Sequence, residues 1–179
     1  MNLPSGVLPA VRIMKNFEKA LETDHGIIVL LETRLSQLKN LVNYIHRANK
    51  QVIIHFDLIQ GLKTDEYGME YILREIKPDG IISTRGNVIG LAKKQGILAI
   101  QRVFLLDSLA LEHNHTLIER VKPDCVEVLP GVLPSYTKRL SEMTDVPVIA
   151  GGLITDQTDV DAAMQAGAIA VSTSKTELW

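Results

Sequence analysis

The sequence predicts an α/β fold, a compact (β/α)8 barrel of the TIM type, as a single domain over residues 1–179. Three observations predict it. Eight apolar runs of strand length recur along the chain, stretches of helical period separate them, and most of the runs end in polar residues or glycine. In a barrel those ends would line one functional face. At 179 residues the chain is shorter than the usual barrel of about 200 residues or more, so this one must be minimal. A doubly wound open sheet is the alternative, but it normally has fewer strands.

Taken in order, the first run is VLPAVR, ending at Arg12, and the second is IIVLLE, ending at Glu32. Ser36 is placed to cap a helix whose Leu38, Leu41, Val42 and Ile45 share one stripe. VIIHFD comes third; period two sets Ile53, His55 and Asp57 on one face, so His55 and Asp57 are expected to point into the barrel mouth. Thr64 is placed to cap the next helix, with Met69, Ile72, Leu73 and Ile76 inward. GIIST then leads to Arg85, ILAIQR ends at Arg102, and CVEVL carries Glu127 on the same face as Cys125. VPVIAG reaches Gly151, and Thr155 or Asp156 opens a helix bearing Val160, Ala163 and Met164. Gly167 stands where a left-handed C-terminal cap is wanted, before the last run, AIAVS. Eight helical segments are expected to accompany the eight strands. REIKPDGII and ERVKPDCVEV repeat a Lys-Pro-Asp turn at Lys77 and Lys122, which a duplication and a generic helix-stopping proline explain equally well.

Composition narrows the function classes. The chain is 46% hydrophobic and 22% charged, as soluble globular proteins are, and runs such as GIIVLL are far too short to span a bilayer. The N-terminal residues lack the pattern of a secretory signal, and Cys125 has no second cysteine to pair with, so a cytoplasmic protein is expected. The net charge of -2 argues against general nucleic-acid binding, but not against a local basic patch. His113 and His115 are two apart on a helix and do not face one metal; no metal site and no cofactor are expected. GxGxxG, the Walker loop and GxSxG are missing from the sequence, and no aromatic-rich RNA platform stands out. Tyr44, Tyr67, Tyr71 and Tyr136 lie in helical patterns and read as packing or surface residues.

The candidate site follows from the barrel. Loops after the seventh and eighth strands commonly hold phosphate. Here they offer Gly151 and Gly152, whose bare backbone admits an anion, and the hydroxyls of Ser172 and Thr173, with Ser174 beside them. The other strand ends supply Arg12, Glu32, His55, Asp57, Arg85, Arg102 and Glu127. Arginine forks match phosphate oxygens and carboxylates accept hydrogen bonds from hydroxyls, so the set suits a small phosphorylated polyol. A salt-bridge network closing the barrel top is the purely structural alternative, and Asp57 with Glu127 could instead exchange protons with a sugar phosphate.

HFDLIQGL, KPDGIISTR, QRVFLLDS, KPDCVEVLPG and PVIAGGLI, in that order, resemble the glycerol uptake operon antiterminator family, whose members respond to glycerol 3-phosphate. The resemblance runs from PAVR to the STSK end. It implies a small barrel that binds glycerol 3-phosphate as effector and then binds the leader mRNA of glycerol-metabolism genes, preventing a terminator hairpin from halting transcription. Lys93 and Lys94 with Arg74, or Lys138 with Arg139, are the candidate RNA phosphate contacts. The competing function is a TIM-barrel enzyme acting on a small phosphorylated polyol or sugar, as isomerase, aldolase or transferase. A homo-oligomer that uses part of the mouth as an interface is left open by the sequence.

Overall fold

Each of the eight apolar runs becomes a strand. In the computed structural model, which describes residues 3–179, all eight are parallel and close into a barrel. They are β1 (Gly6–Val11), β2 (Ile27–Leu30), β3 (Gln51–His55), β4 (Gly80–Ser83), β5 (Leu98–Phe104), β6 (Cys125–Leu129), β7 (Val148–Gly151) and β8 (Ala170–Thr173). Neighbours pair in chain order, and β1 closes the ring on β8 in the register Leu8 with Ser172. The first two residues of the predicted domain lie outside the described residues.

Among the described residues, seven α-helices cover the barrel: α1 (Phe17–Glu22), α2 (Leu35–Arg47), α3 (Glu66–Tyr71), which continues as a π-helical turn over Ile72–Ile76, α4 (Gly86–Lys94), α5 (Ser108–Val121), α6 (Pro134–Met143) and α7 (Gln157–Gln165). The expected eighth helical segment is reduced to a 3-10 turn, Thr176–Leu178, beside which Trp179 Nε1 donates to the Thr173 carbonyl at 2.9 Å. Among the described residues no helix is long and apolar enough to cross a membrane.

Period two divides the apolar side chains between two environments. Leu8, Ala10, Val29, Ile53, Ile82, Leu98, Ile100, Cys125, Ile149 and Ala170 fill the barrel interior. The alternate residues, such as Val11, Ile28, Ile54 and Ile81, pack outward against helix residues Leu38, Val42, Ile45 and Ile89. Both faces of every strand are therefore apolar, which is why the runs look continuous rather than alternating in the sequence.

The sequence predicts three helix starts; in the structure one moves by two residues and another by one. α2 begins at Leu35 after an extended Arg34, so Ser36 lies inside the helix and caps nothing. For α3 the cap is Asp65, not Thr64; its carboxylate accepts from the Gly68 N–H at 2.9 Å. An aspartate accepts more strongly than a hydroxyl, which decides between neighbours. At α7 both candidates take part: Asp156 accepts from the Asp159 N–H at 3.0 Å, while Asp159 reaches back to Thr155 N at 2.8 Å. Gly167 adopts φ +96 after the helix, as its position predicts.

The repeated Lys-Pro-Asp turns are the same device used twice. Lys77 (φ 56) and Lys122 (φ 50) both end a helix in the left-handed conformation. Asp79 then accepts from Val52 N at 2.8 Å, and Asp124 from Ala99 N at 2.9 Å, each tying the bottom of the preceding strand. Each aspartate also meets a base from an earlier helix, His46 at 2.9 Å and Lys93 at 3.4 Å respectively.

Candidate site at the barrel mouth

Two residues beyond the interior positions Ile53, Ile100, Cys125, Ile149 and Ala170 stand His55, Arg102, Glu127, Gly151 and Ser172. The same periodicity therefore sends all five inward, one layer above the apolar filling. Glu127 is at their centre, 1% exposed. Its Oε2 accepts from Arg102 Nε at 2.7 Å and its Oε1 from Ser172 Oγ at 2.6 Å. A buried carboxylate needs such partners, since removal from water costs several kcal/mol that only charge and hydrogen bonds offset.

Gly151 makes this arrangement fit. A Cβ there would lie 2.5 Å from Ser172 Oγ and 2.8 Å from Glu127 Oε1, so any side chain would collide with the hydrogen bond. Gly152 has a different reason, φ +76 with Leu129 packed where its side chain would be. Leu153 continues in the left-handed region at φ 63 although it is 70% exposed. A leucine in that conformation is strained, and the strain sits on the rim of the pocket.

The pocket above this layer has a volume of about 160 Å³. Its polar lining brings together Arg12, Arg102, Glu127, Gly152, Ser172 and Thr173, six of the eleven residues singled out by sequence. Ser174, the further strand-end hydroxyl the sequence offers, lines it as well, whereas the apolar walls Leu58, Leu153 and Ile154 carry no chemical mark that sequence reasoning could use. Thr173 itself is held: its Oγ1 donates to the Ile154 carbonyl at 3.0 Å and accepts from Lys175 N at 3.1 Å.

The other five candidates lie around the pocket rather than in its wall. Gly151 is beneath it, filled over by the Glu127 and Ser172 contact. Glu32 pairs at the surface with Arg12, Nε to Oε1 at 2.9 Å. Asp57 does not share the face of His55, contrary to the period-two expectation. β3 stops at His55 and Phe56–Leu58 coil into a 3-10 turn, which redirects the carboxylate towards the end of β4. There it accepts from Ser83 Oγ at 2.7 Å, Thr84 N at 2.7 Å and Thr84 Oγ1 at 2.9 Å. Arg85 lies 3.7 Å from Asp57 and precedes α4 as its N-terminal flanking residue.

His55 is 2% exposed, and neither ring nitrogen has a hydrogen-bond partner. Burial, and then the Arg102 guanidinium, push it down to about 4, so the ring is neutral near pH 7 and offers one donor and one acceptor below the ion pair. Cys125, one layer further down, is pushed up to about 12 by burial, which keeps it a thiol. Among the described residues no group of histidine, cysteine and carboxylate side chains could hold a metal ion.

Of the candidate basic sets, Arg74 is drawn to Glu70 on its own helix at 2.9 Å, and Lys138 to Glu142 at 3.9 Å. The four tyrosines are exposed, from 40% at Tyr136 to 72% at Tyr67, so they are surface residues.

Comparison with known proteins adds the relatives. A family model described as glycerol-3-phosphate responsive antiterminator matches residues 7–179. The crystal structure of the glycerol uptake operon antiterminator regulatory protein of Listeria monocytogenes str. 4b F2365 is 46% identical. It superposes with a TM-score of 0.95, covering 100% of this chain and 98% of that one. A glycerol uptake operon antiterminator-related protein of Thermotoga maritima MSB8 is 29% identical, with a TM-score of 0.88 and 99% of each chain covered. The Escherichia coli K12 protein YgcP, described as uncharacterized, is 32% identical over 97% of this chain and 91% of its own length.

Proposed function

The chain belongs to the glycerol-3-phosphate responsive antiterminator family, and from that premise we propose that it is a cytoplasmic regulator that senses glycerol 3-phosphate in the barrel mouth and binds the leader mRNA of glycerol-metabolism genes. The observation that carries the sensing role is the composition of one pocket: Arg12 and Arg102 share it with Gly152, Ser172, Thr173 and Ser174 at the ends of β7 and β8. Two guanidinium groups and a hydroxyl-rich, glycine-bearing corner suit a phosphate, while Glu127 and the neutral His55 below are of the type that accepts from or donates to hydroxyls. Glycerol itself offers no charge for the arginines, and inorganic phosphate offers no hydroxyl-bearing carbons for the Leu58, Leu153 and Ile154 walls.

A binding role is favoured over turnover by the state of the two carboxylates. Glu127 is held by Arg102 and Ser172, and Asp57 by Ser83 and Thr84, so proton transfer to a substrate would first have to break short hydrogen bonds. For regulation, the effector must bind the RNA-competent state more tightly than the other; equal affinity would shift nothing. The experiment is leader RNA binding measured with and without glycerol 3-phosphate, beside a turnover assay on a panel of triose and glycerol phosphates. Ligand-dependent RNA affinity without turnover is expected. RNA affinity that ignores the ligand, or turnover lost in Glu127→Gln, would overturn the reading.

A further inference from the structure

Between α4 and α5 runs an open groove of about 610 Å³. Four of its lining residues, Lys93, Lys94, Arg120 and Lys122, are cationic, and none is acidic. In a chain whose net charge is -2 this is a local concentration, not the average surface. We propose that this groove is where the sugar-phosphate backbone of the leader RNA docks, an inference that rests on the RNA-binding reading above and names its surface.

Lys93 and Lys94 stand in the last turn of α4, Arg120 in the last turn of α5, and Lys122 is the left-handed residue at which α5 ends. A helix C-terminus favours a cation, which accounts for a base on each helix taken alone. It does not account for two such ends opening on one groove. The spacing is set by glycine: a Cβ on Gly86 would meet Val121 at 2.9 Å and Leu117 at 3.1 Å, so α4 and α5 approach closely there. One turn further along, a Cβ on Gly90 would meet nothing within 4 Å, and the groove lies open to a ligand.

The cations differ in how they are held. Lys93 is 3.4 Å from Asp124 and donates to the Lys122 carbonyl, so it stiffens one lip. Among the described residues, Lys94, Arg120 and Lys122 form no ion pair, and all three are exposed. A polyanion therefore displaces no internal partner from them. The sequence pairing of Lys93 and Lys94 with Arg74 is replaced by this set, since Arg74 is engaged by Glu70. No lining residue is shared with the mouth pocket, so a protein holding glycerol 3-phosphate keeps the groove open to RNA.

The test measures binding of a transcribed leader RNA by the full chain, with glycerol 3-phosphate present, across a range of salt. Lys94→Glu with Arg120→Glu is expected to weaken binding by roughly tenfold or more. It should also lower the salt slope by about 1 to 2, given roughly 0.7 per single-strand phosphate contact. Gly90→Leu, which fills the groove without changing charge, is expected to weaken binding as well. The reversal Lys138→Glu with Arg139→Glu, on α6, is expected to leave it unchanged, and thermal melts check that each variant is folded. If the unaltered protein binds leader RNA and the groove variants bind it equally well, the groove assignment falls while the RNA reading stands. The same holds if only the α6 reversal weakens binding. Groove variants that bind RNA normally yet lose antitermination in a transcription assay would assign the groove to an acidic protein surface and overturn the proposal. If the unaltered protein binds no leader RNA under any condition, the RNA reading falls and the proposal falls with it.

Discussion

Ser172 donates to Glu127 at 2.6 Å through the space directly above the α-carbon of Gly151. A methyl group at residue 151 would stand within 2.5 Å of the serine oxygen, so Gly151→Ala must push the pair apart. Such overpacking costs about 1–3 kcal/mol. The variant is expected to melt earlier and to bind glycerol 3-phosphate more weakly; adding Ser172→Ala, which removes the colliding oxygen, should recover part of the stability but not the binding. Unchanged melting in Gly151→Ala would show that the mouth is looser than these distances imply.

Arg102 and Glu127 should behave as a unit. Arg102→Ala leaves a buried carboxylate with only Ser172 for company, and breaking a buried pair in this way costs about 3–5 kcal/mol. Combining Arg102→Met with Glu127→Gln is expected to cost clearly less than the sum of the two single changes, as coupled sites do. Chemical denaturation of the four proteins measures it, and simple additivity would contradict the pairing.

His55 sets a pH dependence. Its ring is held at about 4 in the fold against about 6.5 in the unfolded chain, so between these values the unfolded state binds the extra proton. The stabilisation is complete above about pH 6.5 and is lost progressively as the pH falls towards 4, by up to roughly 3 kcal/mol. Urea unfolding of the native chain and His55→Gln at several pH values isolates this contribution. The native protein should lose more stability than the variant between pH 6.5 and 4, and parallel curves would remove His55 as the cause.

Cys125 is expected to resist thiol reagents in the folded protein, because burial in the barrel interior excludes the reagent and keeps the sulfur protonated. Labelling should appear only as denaturant unfolds the chain, in step with loss of circular dichroism. Rapid labelling at neutral pH under native conditions would mean that the barrel opens between β5 and β7.

The barrel was legible because its physics is periodic. A run such as CVEVL shows no apolar and polar alternation, yet period two puts Glu127 on the face of Cys125 near the strand end, and so in the mouth of a barrel. His55 and Asp57 show where that reasoning ends. Alternation holds only while the strand lasts, and the turn at Phe56 releases Asp57 to Ser83 and Thr84, groups distant in sequence. In the sequence Gly151 reads as an opening for an anion, whereas its immediate neighbours are Ser172 and Glu127, a three-strand coincidence that no local pattern carries. The basic groove was half visible, since Lys93 and Lys94 are adjacent in sequence, whereas Arg120 and Lys122 join them only through the packing of α4 on α5.

Calorimetric titration of the purified protein with glycerol 3-phosphate, with glycerol and inorganic phosphate as controls, tests the sensor most directly. The account predicts saturable binding selective for glycerol 3-phosphate, with no product formed and the heat lost in a folded Arg12→Ala or in the Arg102→Met, Glu127→Gln pair. Absence of binding, or equal affinity for phosphate alone, would contradict the account and leave the mouth of this barrel without the ligand assigned to it.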